Sequence, residues 1–470
     1  MTRRTVGLGL ALLALACERP AERIAGARLA AAASGNGTIG VNALLRAAPT
    51  AAQLAELGRY GTVQGTLPEI NAVFLQARAS DVPAIQALPF VLAANPDAER
   101  RGAPVDAVEV SDFAAGVSTW DLDAVNVTDF GRGRVVRYDG RGVYIGVLDT
   151  GLLDSWRQYF PEERIDQEHA AAVSGGGALD AGATPFTPNV WEHDQNSHGT
   201  HVTSTILGYN FRNLFNVNGT APLATVIPVK VLNQAGFGWS STIATGIVYV
   251  ADLKAGPLAG HPVVINMSLG GPALDAVERA AIDYAIARGV ILVAAAGNEG
   301  AAGMSFPGAY PPVISAAASG WIGEWLPGAD GNPRNWWLAD DVPDPTRAKN
   351  FYIAPFSSRE KAGQDLDVAA PGSWVVGPFQ TNSGQTSYFF LGGTSMATPH
   401  VAGIVALMAQ KDPALTAAQA EAILEATATP LPAGCRTVAQ PSGATSQVCW
   451  GADATGAGLA TADAALAATP

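Results

Sequence analysis

Val143-Tyr144-Ile145-Gly146-Val147-Leu148-Asp149-Thr150-Gly151 decides the fold of this chain. Six residues pass without a charge, and an aspartate, a threonine and a glycine follow at once. A strand with one wet face alternates apolar and polar residues, whereas a short unbroken apolar run marks a strand covered on both faces, the habit of parallel sheets. Similar runs stand at 226–232, 263–269 and 290–296. Helical patterns separate them at 200–207, 241–254 and 274–288, the last stopped by Gly289. Further on, Thr416-Ala417-Ala418-Gln419 has the form of a capping box opening a helix to about Thr427. Strand–helix alternation of this kind predicts an α/β domain, a parallel sheet with helices on both faces.

Open parallel sheets place ligand sites beyond the carboxyl ends of their strands. Asp149-Thr150-Gly151 lies at such an end. His198-Gly199-Thr200-His201-Val202 opens a helix, and so does Gly392-Gly393-Thr394-Ser395-Met396-Ala397-Thr398-Pro399-His400. An aspartate, a histidine and a serine thus stand in that chain order, each at the edge of a regular element. A serine hydroxyl is a weak nucleophile unless an imidazole takes its proton during attack and returns it to the leaving group. His198, with an ordinary pKa near ~6.5, can do both. Asp149 would hold the ring in one tautomer and stabilise its charged form. The helix start at Ser395 offers free backbone N–H groups and a positive dipole end.

Competing readings of the same residues are weaker. Asp-Thr-Gly also marks aspartic proteases, but no second such triplet supplies the partner carboxylate. His193, His198 and His201 could ligate a metal on spacing, yet no helical His-Glu-x-x-His pattern accompanies them. His201 and His400 read as packed, hydrogen-bonded histidines.

At this point the chain resembles the subtilases, the subtilisin-like serine proteases, from about residue 120 to 466. The resemblance implies a subtilisin-like fold, with Asp149, His198 and Ser395 as catalytic triad. Ala294-Ala295-Ala296-Gly297-Asn298-Glu299-Gly300 is similar to the segment that bears the family's oxyanion-hole asparagine, which falls on Asn298. Ser268-Leu269-Gly270 resembles the strand that pairs with substrate backbone. Glu299 should lie near the rim of the pocket for the residue before the scissile bond, where it either favours a basic side chain or is a solvated charge. No organic cofactor is implied. Many subtilases hold structural calcium, and carboxylates of Asp330, Asp340, Asp341 and Asp344 suit a hard cation, but no ligand set is assigned.

The rest of the chain frames this domain. Arg3 and Arg4 precede an apolar run from Val6 to Ala16 that is too short to span a bilayer and reads as a signal-peptide core. The leader, 1–17, ends Leu13-Ala14-Leu15-Ala16-Cys17, which resembles a bacterial lipobox and would lipidate Cys17; ordinary cleavage near Ala16 is the alternative. The chain is therefore expected to be secreted, or anchored at the cell envelope through Cys17. Residues 36–98 pattern as a small α+β module, with strands at 39–45, 71–77 and 90–93, a helix at 50–57, and a second helix capped by Ser80. The module resembles the family's propeptide, an intramolecular inhibitor. Residues 99–117 read as a linker holding a processing site, and 118–470 as the peptidase domain, with 450–467 closing it.

A net charge of −13 repels nucleic acid and anionic lipid, so neither is an expected partner; polypeptide substrates are, and nothing suggests an oligomer. Cys435 and Cys449 lie close together in an exported chain and are expected to form a disulfide, worth about 3 kcal/mol on the loop-entropy argument. Residues 320–350 insert Trp321, Trp325, Trp336 and Trp337, either as an exposed surface for extended substrate or as side chains packed inward. The expected function is a secreted serine endopeptidase made as a self-processing zymogen. Its rivals are an esterase or amidase with the same triad, which lacks its Gly-x-Ser-x-Gly elbow here, and a catalytically silent peptide-binding protein.

Overall fold

In the computed structural model, which describes residues 37–102, 106–109, 118–177 and 190–470, the run at 143–148 forms the strand Tyr144–Asp149 inside an eight-stranded sheet. Thr225–Lys230 and Val263–Met267 flank it in parallel. Val290–Ala295, Ile314–Trp321 and Val368–Pro371 extend the sheet in the same sense, and Phe351–Ile353 runs antiparallel at its edge. The helices between strands are His198–Leu207, Ser240–Ala255 and Ala276–Ala287, close to the expected bounds. Thr416 and Gln419 cap the helix Ala417–Thr427 reciprocally, as their spacing predicts.

Two cores result, one on each face of the sheet. One holds the inner faces of the helices Ser240–Ala255 and Ala276–Ala287. The other surrounds Thr394–Lys411, a helix buried through its first sixteen residues and hence apolar on every side. Pro399 sits inside this helix and has no N–H to give the carbonyl four residues back. That carbonyl belongs to Ser395, and the Ser268 hydroxyl fills the vacancy at 2.8 Å. A proline that would weaken an ordinary helix therefore frees the group that ties the Ser395 turn to the neighbouring strand end.

The N-terminal module is a four-stranded antiparallel sheet, Gly61–Leu67, Ala72–Arg78, Thr38–Leu45 and Val91–Pro96 in spatial order. The strand Ala72–Arg78 shows why it docks. Val73, Leu75 and Ala77 face the module's own core, while Ala72 and Phe74 join the core of the helices Ser240–Ala255 and Ala276–Ala287. Two local expectations need correcting. Gly61–Leu67 is a strand that its polar, glycine-containing sequence conceals. Ser80 lies in a 3₁₀ turn, Ala79–Asp81, and the short helix Val82–Gln86 follows Asp81, with Pro83 in its first turn. The 99–117 stretch is also more than a connection. Glu99–Arg101 pairs antiparallel with Phe237–Trp239, and Asp106–Glu109 with Tyr388–Gly392.

The tryptophans of 320–350 pack inward, which removes the exposed-surface reading. Trp336 and Trp337 are fully buried, and Trp321 and Trp325 nearly so. Trp336 stacks on Phe390 at 5.9 Å between ring centroids and tilts against Trp120 at 5.6 Å. Glu324 is buried beside them, accepting hydrogen bonds from Tyr352 Oη (2.6 Å) and the Trp321 N–H (2.9 Å). Cys435 and Cys449 face each other across the hairpin Gly434–Ala439/Thr445–Trp450 and are disulfide-bonded. The leader and Cys17 lie outside the described residues, within which no helix is long and apolar enough to cross a membrane. Trp336→Ala, which empties the centre of the aromatic cluster, should cost about 3–5 kcal/mol, read as a fall in the denaturant midpoint.

Candidate active site

Strand ends and helix starts deliver the predicted residues to one place. Asp149 closes its strand, and His198 opens a helix behind Ser197, whose φ of 72° turns the chain sharply. His198 Nδ1 stands 2.8 Å from Asp149 Oδ1 and 3.0 Å from Oδ2, with both side chains fully buried. Gly199 permits that approach: a Cβ there would strike the Gly151 carbonyl oxygen and lie 3.2 Å from Asp149 Oδ1. The Thr150 N–H donates to Asp149 Oδ1 at 2.7 Å, and the Thr150 hydroxyl accepts the Gly199 N–H at 2.8 Å. Carboxylate, turn and helix start are thus clamped as one unit.

Burial alone would push His198 down, but the charge and hydrogen bond of Asp149 outweigh it and hold the imidazole above the ordinary histidine value. Among the described residues nothing bonds His198 Nε2. Ser395 directs its hydroxyl to the Ser268 carbonyl at 3.1 Å, the partner of the reverse bond from Ser268 to the Ser395 carbonyl. Asn298 Oδ1 accepts from the Thr394 N–H (2.9 Å) and hydroxyl (3.0 Å), so its carbonyl end is committed. Its Nδ2 and the Ser395 backbone nitrogen each lie 3.7 Å from the open side of Gly393, where a Cβ would stand. Two donors therefore border one small space next to Ser395, the requirement for holding an anionic oxygen.

Glu299 lies at the cleft rim, exposed, yet its carboxylate is not simply solvated. Ser358 and Ser305 donate to Oε2 at 2.9 and 3.0 Å. His201 is buried against the Val375 carbonyl at 3.2 Å, and burial pushes it down to about 3. His400 bonds Asp121 and the Met396 carbonyl, and His193 faces Asp154. The three histidines of the metal reading thus have separate partners. Of the four insertion aspartates, Asp341 meets Asp123 and Asp129, their carboxylate oxygens within 4.8 Å of one another. Burial, with the nearby charges of Asp341 and Asp344, pushes Asp123 up to about 8. Asp365, Asp367 and Glu421 form a second acidic group; both sets have the oxygen donors a hard cation takes.

Several residues escape the motif reading. Asp194 is fully buried, and burial pushes it up to about 6, with Lys230 opposing the shift. Lys230 is bonded to the Thr150 carbonyl beneath Asp149. Glu278 is also fully buried, and one signal could have found it: it lies in phase with Ala281, Ile282 and Ala285 on the apolar stripe of its helix. Asp149→Asn should lower the titration of His198, followed by the ring-proton NMR shifts; an unmoved pKa would contradict the electrostatic role of Asp149.

A parallel α/β sheet whose edge gathers a buried carboxylate–imidazole pair, a serine at a helix start and converging N–H donors is the framework of a serine hydrolase. Residues 140–451 match the family described as the Subtilase family, Peptidase_S8, and the chain belongs to it. It is a serine-type endopeptidase. Subtilisin DY of Bacillus licheniformis is 34% identical over 298 residues, 63% of this chain and 86% of that protein. Subtilisin E of Bacillus subtilis is 36% identical over 296 residues, 62% of each. The crystal structure of fervidolysin from Fervidobacterium pennivorans, described as a keratinolytic enzyme related to subtilisin, shares the fold with a TM-score of 0.63 at 22% identity. That match covers 93% of this chain and 62% of fervidolysin.

Proposed function

We propose that this chain is an exported, self-processing zymogen of a subtilisin-like endopeptidase, with Asp149, His198, Ser395 and Asn298 as its catalytic residues. Ser395 attacks the substrate carbonyl while His198 takes its proton through Nε2, the nitrogen left unbonded. Asp149 fixes the other ring nitrogen and stabilises the imidazolium. The Asn298 amide and the Ser395 N–H hold the oxyanion, His198 protonates the leaving amine, and water then cleaves the acyl-enzyme by the same route. The raised pKa of His198 means that activity falls as pH drops through that value, because the charged ring cannot accept a proton. Ser268, Leu269 and Gly270 bind substrate backbone, and Glu299 lines the rim of the pocket for the residue before the scissile bond. The reaction needs no organic cofactor, and structural calcium is an ancillary part of the proposal.

One observation carries the reading. The chain's own segment lies in the cleft as a substrate would: the Arg101 N–H donates to the Gly270 carbonyl (3.0 Å), and the Gly270 N–H returns the bond (3.1 Å). The segment then reaches Gly102, where a Cβ would lie 3.3 Å from the His198 ring and 3.0 Å from the Ser268 carbonyl oxygen. Residues 36–98 act as the inhibitory propeptide, 99–117 contain the processing site, and 118–470 form the enzyme. The mature enzyme is secreted or held at the envelope by Cys17, works as a monomer, and takes polypeptides as substrates.

Intact mass over time, for exported wild type and Ser395→Ala incubated with casein, tests this. Only the wild type should shed about its first hundred residues and degrade casein. If both chains stay whole and casein survives with calcium present, the silent peptide-binding reading replaces this one.

A further inference from the structure

The segment that fills the cleft carries two adjacent arginines with opposite fates. Arg101 is exposed and lies over the Phe237 ring, 4.6 Å from its centroid. Arg100 is fully buried. Its Nε donates to Glu278 Oε1 at 3.1 Å, its Nη2 bonds Glu278 Oε2, and Nη2 also bonds the Ala273 carbonyl. Nη1 returns to the Glu99 carbonyl at 3.1 Å. Gly271 makes room for the guanidinium, since a Cβ there would lie 2.7 Å from Nη1. An antiparallel strand sends alternate side chains to opposite sides, so the pairing of Arg101 with Gly270 is what turns Arg100 into the protein.

The carboxylate and the Ala273 carbonyl that hold Arg100 come from beyond its own segment. Glu278 stands on the helix Ala276–Ala287, and the Asp275 carboxylate, at its N-cap, accepts the Val277 and Glu278 N–H groups at 2.9 and 2.8 Å. Asp97, from the same segment as Arg100, is held by Ser241 Oγ (2.6 Å), Ser240 Oγ (2.8 Å) and the Gly177 N–H (2.9 Å). Once 95–102 leaves, the cleft retains a carboxylate at the floor of an arginine-shaped pocket. An unpaired buried carboxylate is costly, so a side chain that brings a cation into this pocket is favoured over an apolar one. Burial already pushes Glu278 up to about 7 against the opposing charge of Arg100.

Resting on the endopeptidase reading, we infer that Glu278 makes this enzyme selective for arginine at the fourth residue before the scissile bond. The register sets that count. Gly102 packs against His198 and Ser268, and Arg101 pairs with Gly270 through both backbone bonds; taking Gly102 as the second residue before the bond makes Arg100 the fourth. Both Nε and Nη2 engage Glu278, a fork that lysine cannot copy, so arginine is preferred to lysine as well. Gly102 is also closely packed: a Cβ there would lie 3.0 Å from the Ser268 carbonyl oxygen and would push the Leu232 side chain aside, so small residues are favoured at the second position before the bond.

The test uses the full chain, exported and left to process itself, and peptide para-nitroanilides, which fix the bond cut. Glu-Arg-Arg-Gly-Ala-anilide is compared with analogues having leucine or lysine in place of the first arginine. The arginine substrate should exceed the leucine one by about 30-fold or more in kcat/KM, the cost of leaving a buried charge unpaired. Glu278→Leu should bring the ratio to one or below. The comparison on wild type stands without that variant if the variant fails to fold. Equal rates on the arginine and leucine anilides, or casein cleavage with neither anilide touched, overturn the inference and leave the endopeptidase reading intact. Loss of casein cleavage as well removes both.

Discussion

A fully buried carboxylate facing a fully buried imidazole is the constraint around which this molecule is arranged. An unpaired charge of either kind would be strongly unfavourable in that environment, so the strand that ends at Asp149 and the helix that begins at His198 must meet within hydrogen-bonding distance. The rest of the local architecture serves that meeting. Thr150 ties the turn to the helix start, Gly199 removes the side chain that would separate them, and Lys230 braces the Thr150 carbonyl from below. The parallel sheet brings Asp149, Ser268 and Asn298 to one edge because they follow strands of the same direction.

The Ser395 side depends on a second device. Pro399 denies the Ser395 carbonyl its helical partner, and Ser268 then bonds Ser395 in both directions. The strand end that contacts the peptide in the cleft is thereby coupled to the serine that would attack it. Arg100 adds a third contact to this frame: an ion pair at the same surface where Asn95 and Asp97 meet two helix starts. The contacts that hold the module and the segment lying in the cleft are therefore continuous in the structure.

Much of this was legible in the sequence, and the misses have physical reasons. Unbroken apolar runs announced four parallel strands, because burial on both faces leaves no room for alternation. The strand Ile314–Trp321 gave no such signal: its interior is Ser-Ala-Ala-Ala-Ser-Gly, small residues that pack beneath the central helix. The motifs around Asp149, His198 and Ser395 set these residues at a strand end and two helix starts, where the structure has them, and Gly199 after the histidine gives the space that lets the strand and helix meet. Asp194 and Lys230 were not, since a lone charged residue reads as solvated until its burial is known. The inward tryptophans were ambiguous for a related cause: aromatic composition reports how much surface can be buried, not against what. Arg100 looked like linker charge because its partner lies 178 residues away.

Labelling with a fluorophosphonate, followed by peptide mapping, tests the central claim most directly. The reagent phosphonylates only a serine activated by a neighbouring base and an oxyanion site. In the processed wild-type chain the label is predicted on Ser395 alone, and His198→Ala is predicted to abolish it. A processed chain that carries no label on Ser395, or carries it on another serine, would contradict the assignment of this site.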